Sequence, residues 1–166
     1  MLDNEMYSIM LYIEKTINPP HVFHTKVPDG FKTPAVYYPV PELLSGGDTF
    51  STYKLSYLWL IKFFADKENQ AADMAYTMLD TIRYHRNKVQ LMGYDNAPVE
   101  GRFLRLKDPT MRYLSDTSPE VVQLTLSWDS RRPYYREPVQ KAQHIHLDIY
   151  TKSAIDKAIE KSGGRP

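Results

Sequence analysis

The chain contains no cysteine. That single absence excludes disulfides, thiolate metal sites and cysteine nucleophiles, and it fits a reducing compartment. No apolar run approaches the roughly 18 residues that a membrane-spanning helix needs. The opening MLDNEMYSIM carries acids where a secretory leader would carry a basic region, so no signal peptide is expected. An excess of either charge is lacking too. Lys+Arg number 21 and Asp+Glu 20, leaving a formal net charge of +1, which gives the fold as a whole no footprint for strong nucleic-acid binding. Glycine is scarce, with seven against twelve prolines, which points to short strands bounded by stiff turns. G-x-S-x-G elbows, P-loops and G-x-G-x-x-G fingerprints are missing. Gly46-Gly47 is a turn and not a phosphate cradle, because no helix start follows it. No catalytic residue and no cofactor are expected.

What is present suits one globular domain with a real core. The composition is 42% hydrophobic and 25% charged, and 13 tyrosines, six phenylalanines and two tryptophans favour strands and interfaces. Residues 3–17 place Met6, Ile9, Met10, Ile13 and Ile17 on one helical stripe, with Asp3 or Asn4 to cap it and Asn18-Pro19-Pro20 to stop it. A single lysine on this helix argues against a membrane-surface role. Pro34, Pro39 and Pro41 bracket AVYY, a strand expected at a sheet edge. Pro28-Asp29-Gly30 is a turn, and Gly46-Gly47-Asp48 can turn a hairpin with Leu43 and Leu44 near its tip. Those leucines either fold back onto the core or meet another subunit.

STYKLSYLWLIKFF, 51–64, alternates Tyr53, Leu55, Tyr57, Trp59, Ile61 and Phe63 on one face. It is long against a usual strand length of about 5–6 residues, so it can protrude and pair with a neighbour. Residues 65–88 read as a helix capped by Asp66, with Ala71, Met74, Ala75, Met78, Leu79 and Ile82 inward and Glu68 and Asp73 solvated. VQLMGYD is a short strand and turn. RFLRLKDPTMRYL alternates apolar with basic residues until Asp108-Pro109 turns the chain. PEVVQLTLSWDSRRPYY follows as another long strand, then HIHLDIY, then a helix from Ser153 to Lys161. The fold class is α+β, a mostly antiparallel sheet with helices packed on one face. It forms one domain over 1–152, followed by a C-terminal helix and tail over 153–166.

HIHLDIY raises metal chemistry. As a strand it turns His144, His146 and Asp148 to one face, and imidazole and carboxylate are good zinc ligands. Metallo-hydrolases with an H-x-H-x-D-H motif use this spacing, but Ile149 stands where the last histidine belongs. Ile145, Leu147 and Ile149 also supply a plain apolar face, and nothing fixes His21 and His24, in a proline-rich loop, near the strand. The preferred reading is a solvated or inter-subunit strand face with no metal, the rival a small metal-dependent hydrolase. The cluster RRPYY at 131–135 can stack on bases or carboxylates, and a protein–protein contact is preferred to nucleic acid.

The order from about residue 5 to residue 150 resembles the tail terminator proteins of long-tailed bacteriophages. The resemblance rests on an N-terminal helix, then TPAVYY, a hairpin, YKLSYLWLIKFF, the helix NQAADMAYTMLDTI, GRFLRLKD and EVVQLTLSW. It is one of order and texture, and the C-terminal helix has no counterpart in the family pattern. It implies a structural virion protein of the tail or neck, made in the host cytoplasm and without catalytic activity or cofactor. Such proteins form a homo-oligomeric, hexameric ring that caps the tail tube and joins it to the head connector. The implied partners are further copies of the chain, the tail tube protein, a head-completion or connector protein, and the sheath protein where the tail contracts. DNA only passes through the lumen, and no membrane is involved. Ring closure needs one patch to meet a different patch. Leu43, Leu44, Phe50 and Tyr53 are the expected subunit contacts, and Arg131, Arg132, Tyr134 and Tyr135 contact a neighbour or the tube. Another neck or baseplate component is the alternative.

Overall fold

The computed structural model describes residues 2–67, 69–115 and 119–136. The chain divides at Tyr134 into two units, and the elements below belong to the first. The expected strand HIHLDIY with His144, His146 and Asp148, the expected helix 153–161, and Glu68 lie outside the described residues.

Alternation in the sequence becomes two long paired strands. β4 (Thr52–Ala65) runs antiparallel to β7 (Glu120–Pro133) in unbroken register from Thr52↔Pro133 to Ala65↔Glu120. Trp59, Ile61 and Phe63 on β4 and Val122, Leu124, Leu126 and Trp128 on β7 share one face and are fully buried. The helices α1 (Leu2–Ile17) and α2 (Gln70–Tyr84) cover that face. Ile9 and Ile13 come from the first helix and Ala71, Ala75, Met78 and Ile82 from the second. The expected apolar stripes are therefore the stripes that pack. The remaining strands are β1 (His21–His24), β2 (Ala35–Tyr38), β3 (Glu42–Ser45), β5 (Lys88–Met92) and β6 (Pro98–Ser115). The order across the sheet is β1-β2-β4-β7-β6-β5, with β3 also pairing on β4, and every pair but β1–β2 is antiparallel. This is the expected α+β architecture.

Several local expectations are corrected. β2 is not an edge strand. It lies between β4 and a parallel β1, and Ala35, Val36 and Tyr38 are buried. The prolines flank β2 without interrupting it, and His21 and His24 stand at the two ends of β1 instead of in a loop. Asp108-Pro109 does not turn the chain. β6 continues through it by a β-bulge, because Lys107 faces Ser127 while Thr110 faces Thr125. Asp108 takes φ 26, and three steps along β6 match two along β7, so one extra residue is absorbed without ending the strand. The second helix is shorter than expected. β4 runs to Ala65, Asp66 accepts the Thr33 hydroxyl instead of capping, and Asn69 in the left-handed region starts the helix. The cap comes from elsewhere: buried Glu120 accepts the Ala71 N–H at 2.9 Å.

Candidate functional site

β6 joins β7 only from Leu106↔Trp128 onward. Thr52–Ser56 and Asp129–Pro133 therefore extend beyond β6 as a two-stranded ribbon. β3 pairs on the other edge of β4 through Glu42↔Leu58, Leu43↔Tyr57 and Ser45↔Ser56. The length of β4 is what creates this ribbon, and the eight residues expected to make contacts lie on it or beside it. Leu43 and Leu44 are 59% and 58% exposed, so the hairpin does not fold them onto the core. Phe50 is fully exposed in the loop that leads into β4. Tyr53 is half-buried, with its ring 5.3 Å from that of Tyr134. The Tyr134 N–H donates to the Ser51 carbonyl at 3.1 Å, which ties the end of β7 to this loop, and Tyr135 is exposed beyond it. Arg131 pairs with Asp48 at 2.9 Å. Arg132 stands opposite Tyr53, and its buried Nε has no hydrogen-bond partner among the described residues.

The loop at the ribbon end is organised by its own side chains. The Thr49 hydroxyl accepts the backbone N–H groups of Ser51 at 3.3 Å and Thr52 at 3.1 Å, and Asp48 accepts the Thr52 hydroxyl at 3.2 Å. Such local side-chain bonds hold a turn that polar residues alone would leave open. Phe50 is thus presented on a fixed turn.

Sequence reading missed Asp129. Its carboxylate lies on the sheet face turned away from the helices and accepts the Ser56 hydroxyl at 2.7 Å and the Lys107 ammonium, with Lys54 at 3.9 Å. Burial pushes this carboxyl up, but the bonds from Lys107 and Ser56 and the charges of Lys107 and Lys54 outweigh it and hold it below its ordinary value. No sequence signal could find the cluster, since its members come from three strands. Next to the hairpin, on the same face, Val40, Leu58, Leu60, Glu42 and Lys62 line a shallow groove of about 180 Å³. A second groove of about 380 Å³ runs along α1 past Met6, Tyr7 and Met10 to Gly93 and Tyr94.

The described histidines do not converge. His24 stacks on Tyr38 with ring centroids 5.6 Å apart, and His85 Nδ1 shares a 2.6 Å hydrogen bond with the Tyr12 hydroxyl. The Tyr38 phenol is pushed far up, first by burial and then by the Glu14 charge, so it stays neutral. Among the described residues no three His, Cys, Asp or Glu side chains are grouped to hold a metal. No described helix is long and apolar enough to cross a membrane.

The fold is thus a two-layer α+β protein whose most exposed apolar side chains include those on and beside a protruding ribbon. No protein-family model matches the chain. The uncharacterized protein YqbJ of Bacillus subtilis (strain 168) is 30% identical over 136 residues, 82% of this chain and 90% of that protein. The phage-like element PBSX protein XkdJ of the same organism is 27% identical over 151 residues, 91% of this chain and the whole of that protein. The chain belongs to the family of YqbJ. Among solved structures, a chain of the virion of a native gene transfer agent (GTA) particle overlaps 78% of this chain and 92% of its own length, at a TM-score of 0.46 and 12% identity.

Proposed function

We propose that this protein is a structural virion component of the tail terminator type, a homo-oligomeric ring that caps the tail tube and meets the head connector. The observation that carries the reading is the ribbon end. Leu43, Leu44 and Phe50 expose apolar surface on a braced hairpin and turn, and apolar and aromatic anchors of this kind dominate the energy of protein interfaces. Kinship with a PBSX phage-like element protein supports the same setting. In this reading Leu43, Leu44, Phe50 and Tyr53 contact the neighbouring subunit, while Arg131, Arg132, Tyr134 and Tyr135 reach the neighbour or the tube. Light scattering on the purified protein, alone and mixed with tail tubes, tests it. A ring mass in solution, or co-sedimentation with tubes as a ring, is the expected result. A protein that stays monomeric and does not sediment with tubes overturns it.

A further inference from the structure

The two faces of the molecule differ in charge although the whole is nearly neutral. The sheet face turned away from the helices presents Lys62 on β4, Lys88 on β5, and Arg105, Lys107 and Arg112 on β6. Of its carboxylates, Asp129 is taken up by Lys54 and Lys107, and Glu42 lies at the hairpin. Among the described residues Lys62, Lys88, Arg105 and Arg112 form no ion pair. Lys88 and Arg105 stand directly opposite each other, an arrangement that costs stability unless an acid from outside approaches. On the opposite side of the molecule, the solvent stripe of α2 runs through Asp73, Thr77, Asp80 and Tyr84, with Arg83 beside it. Tyr84 is 82% exposed.

The two patches match in spacing as well as charge. Asp73 and Asp80 are seven residues apart, about 10.5 Å along a helix. Lys62 and Arg112 flank Gln123 in register, which separates them by two strand spacings, about 9.6 Å. A helix laid across β6, β7 and β4 with Asp73 on Arg112 brings Asp80 to Lys62. One turn further on, Tyr84 comes to Tyr37, the β2 partner of Lys62, at the end of the groove that Val40, Leu58 and Leu60 also line. Three complementary relations then fall on one stripe.

We infer that the occupant of the basic sheet face is α2 of a second copy of this chain, docked across the strands with Tyr84 at the end of the groove beside the hairpin. This deepens the ring reading above and rests on it. The contact joins two different patches, so it runs head to tail and not as a two-fold dimer, and it gives a ring where the rotation between successive copies closes. Its anchor is an aromatic at the end of an apolar groove, and its charges set register and direction.

Two charge-reversal variants test the inference, D73K/D80K and K62E/R112E. All four sites lie on solvent-facing surfaces of the monomer, and circular dichroism confirms that each variant folds. Light scattering, on tail tubes if the ring needs them, should show each variant falling from ring to monomer mass. An equimolar mixture of the two should regain ring mass, because alternating copies restore opposite charge at every contact. Tyr84→Ala should weaken self-association by about tenfold or more. Either variant keeping its ring mass, or a mixture that stays monomeric, overturns the inference while a wild-type ring leaves the functional reading intact. A wild type that forms no ring under either condition removes both. If K62E/R112E assembles normally but loses retention of a DNA duplex that the wild type shows, the basic face belongs to nucleic acid and the inference is overturned.

Discussion

The Glu5 carboxylate accepts the Trp128 indole N–H at 3.0 Å, joining the first turns of α1 to a strand 123 residues later. Its other oxygen accepts the Ser130 hydroxyl at 2.7 Å, and Glu5, Trp128 and Ser130 are all buried. A carboxylate is withdrawn from water here, and two donors satisfy it. Glu5→Ala leaves both donors buried and unpaired and should cost about 2–4 kcal/mol. Glu5→Gln keeps one acceptor and should cost less. Urea unfolding of the three proteins at neutral pH reads the order. Equal midpoints would show that the pair does not hold the helix to the sheet.

Glu120 caps α2 from outside the helix. Its Oε2 accepts the Ala71 N–H across 49 residues of sequence, and Asn69 at the helix start makes no side-chain capping bond. Loss of a cap costs about 0.5–2 kcal/mol, and burial of the freed N–H raises that. Glu120→Ala should therefore destabilise the protein by about 1–3 kcal/mol. It should also speed hydrogen exchange in the first turn of α2 more than in β7. Uniform exchange along both elements would count against the cap.

Asp129 should make part of the acid sensitivity. Its carboxyl lies below its ordinary value in the folded state, so near pH 4 the unfolded chain binds more protons and stability rises with pH. The contribution is full above the ordinary carboxyl value of about 3.9 and is lost as pH falls through the lowered folded value. Asp129→Asn removes it. Wild type and variant should differ by up to about 1 kcal/mol above pH 5 and converge in stronger acid. Urea midpoints across that range check the sign; a gap that widened toward low pH would refute it.

The hairpin leucines should separate stability from assembly. Leu43 and Leu44 are more than half exposed, and substitutions at such positions usually change stability by about 0.5 kcal/mol or less. L43D/L44D should unfold like the wild type yet lose self-association and binding to tail tubes. A large fall in the urea midpoint would instead place the leucines in the core.

Local periodicity made the framework legible. The stripe from Met6 to Ile17, the alternation from Tyr53 to Phe63, the inward face of α2 and the alternation from Val122 to Trp128 are each set by neighbours a few residues apart. The structure packs each as its period implies. The exposure of Leu43 and Leu44 was not legible in the same way: the sequence left them either on the core or at another subunit, and the pairing of β3 on β4 leaves them exposed. Misreadings fell where the deciding partner is distant. Four residues, His21–His24, become a strand only because β2 lies alongside. The Asp108-Pro109 bulge depends on its register with β7, and the α2 cap on Glu120.

Charge shows the division most clearly. The sequence by itself determined a nearly neutral chain with amphipathic helices and strands, since composition and period need no tertiary partner. Only the tertiary structure decided that Lys62, Gln123 and Arg112 form one row, that Asp129 meets Lys54 and Lys107, and that β4 outruns β6 to leave a ribbon. Each of these is a relation between strands, and strand register is fixed by packing and hydrogen bonding over the whole sheet.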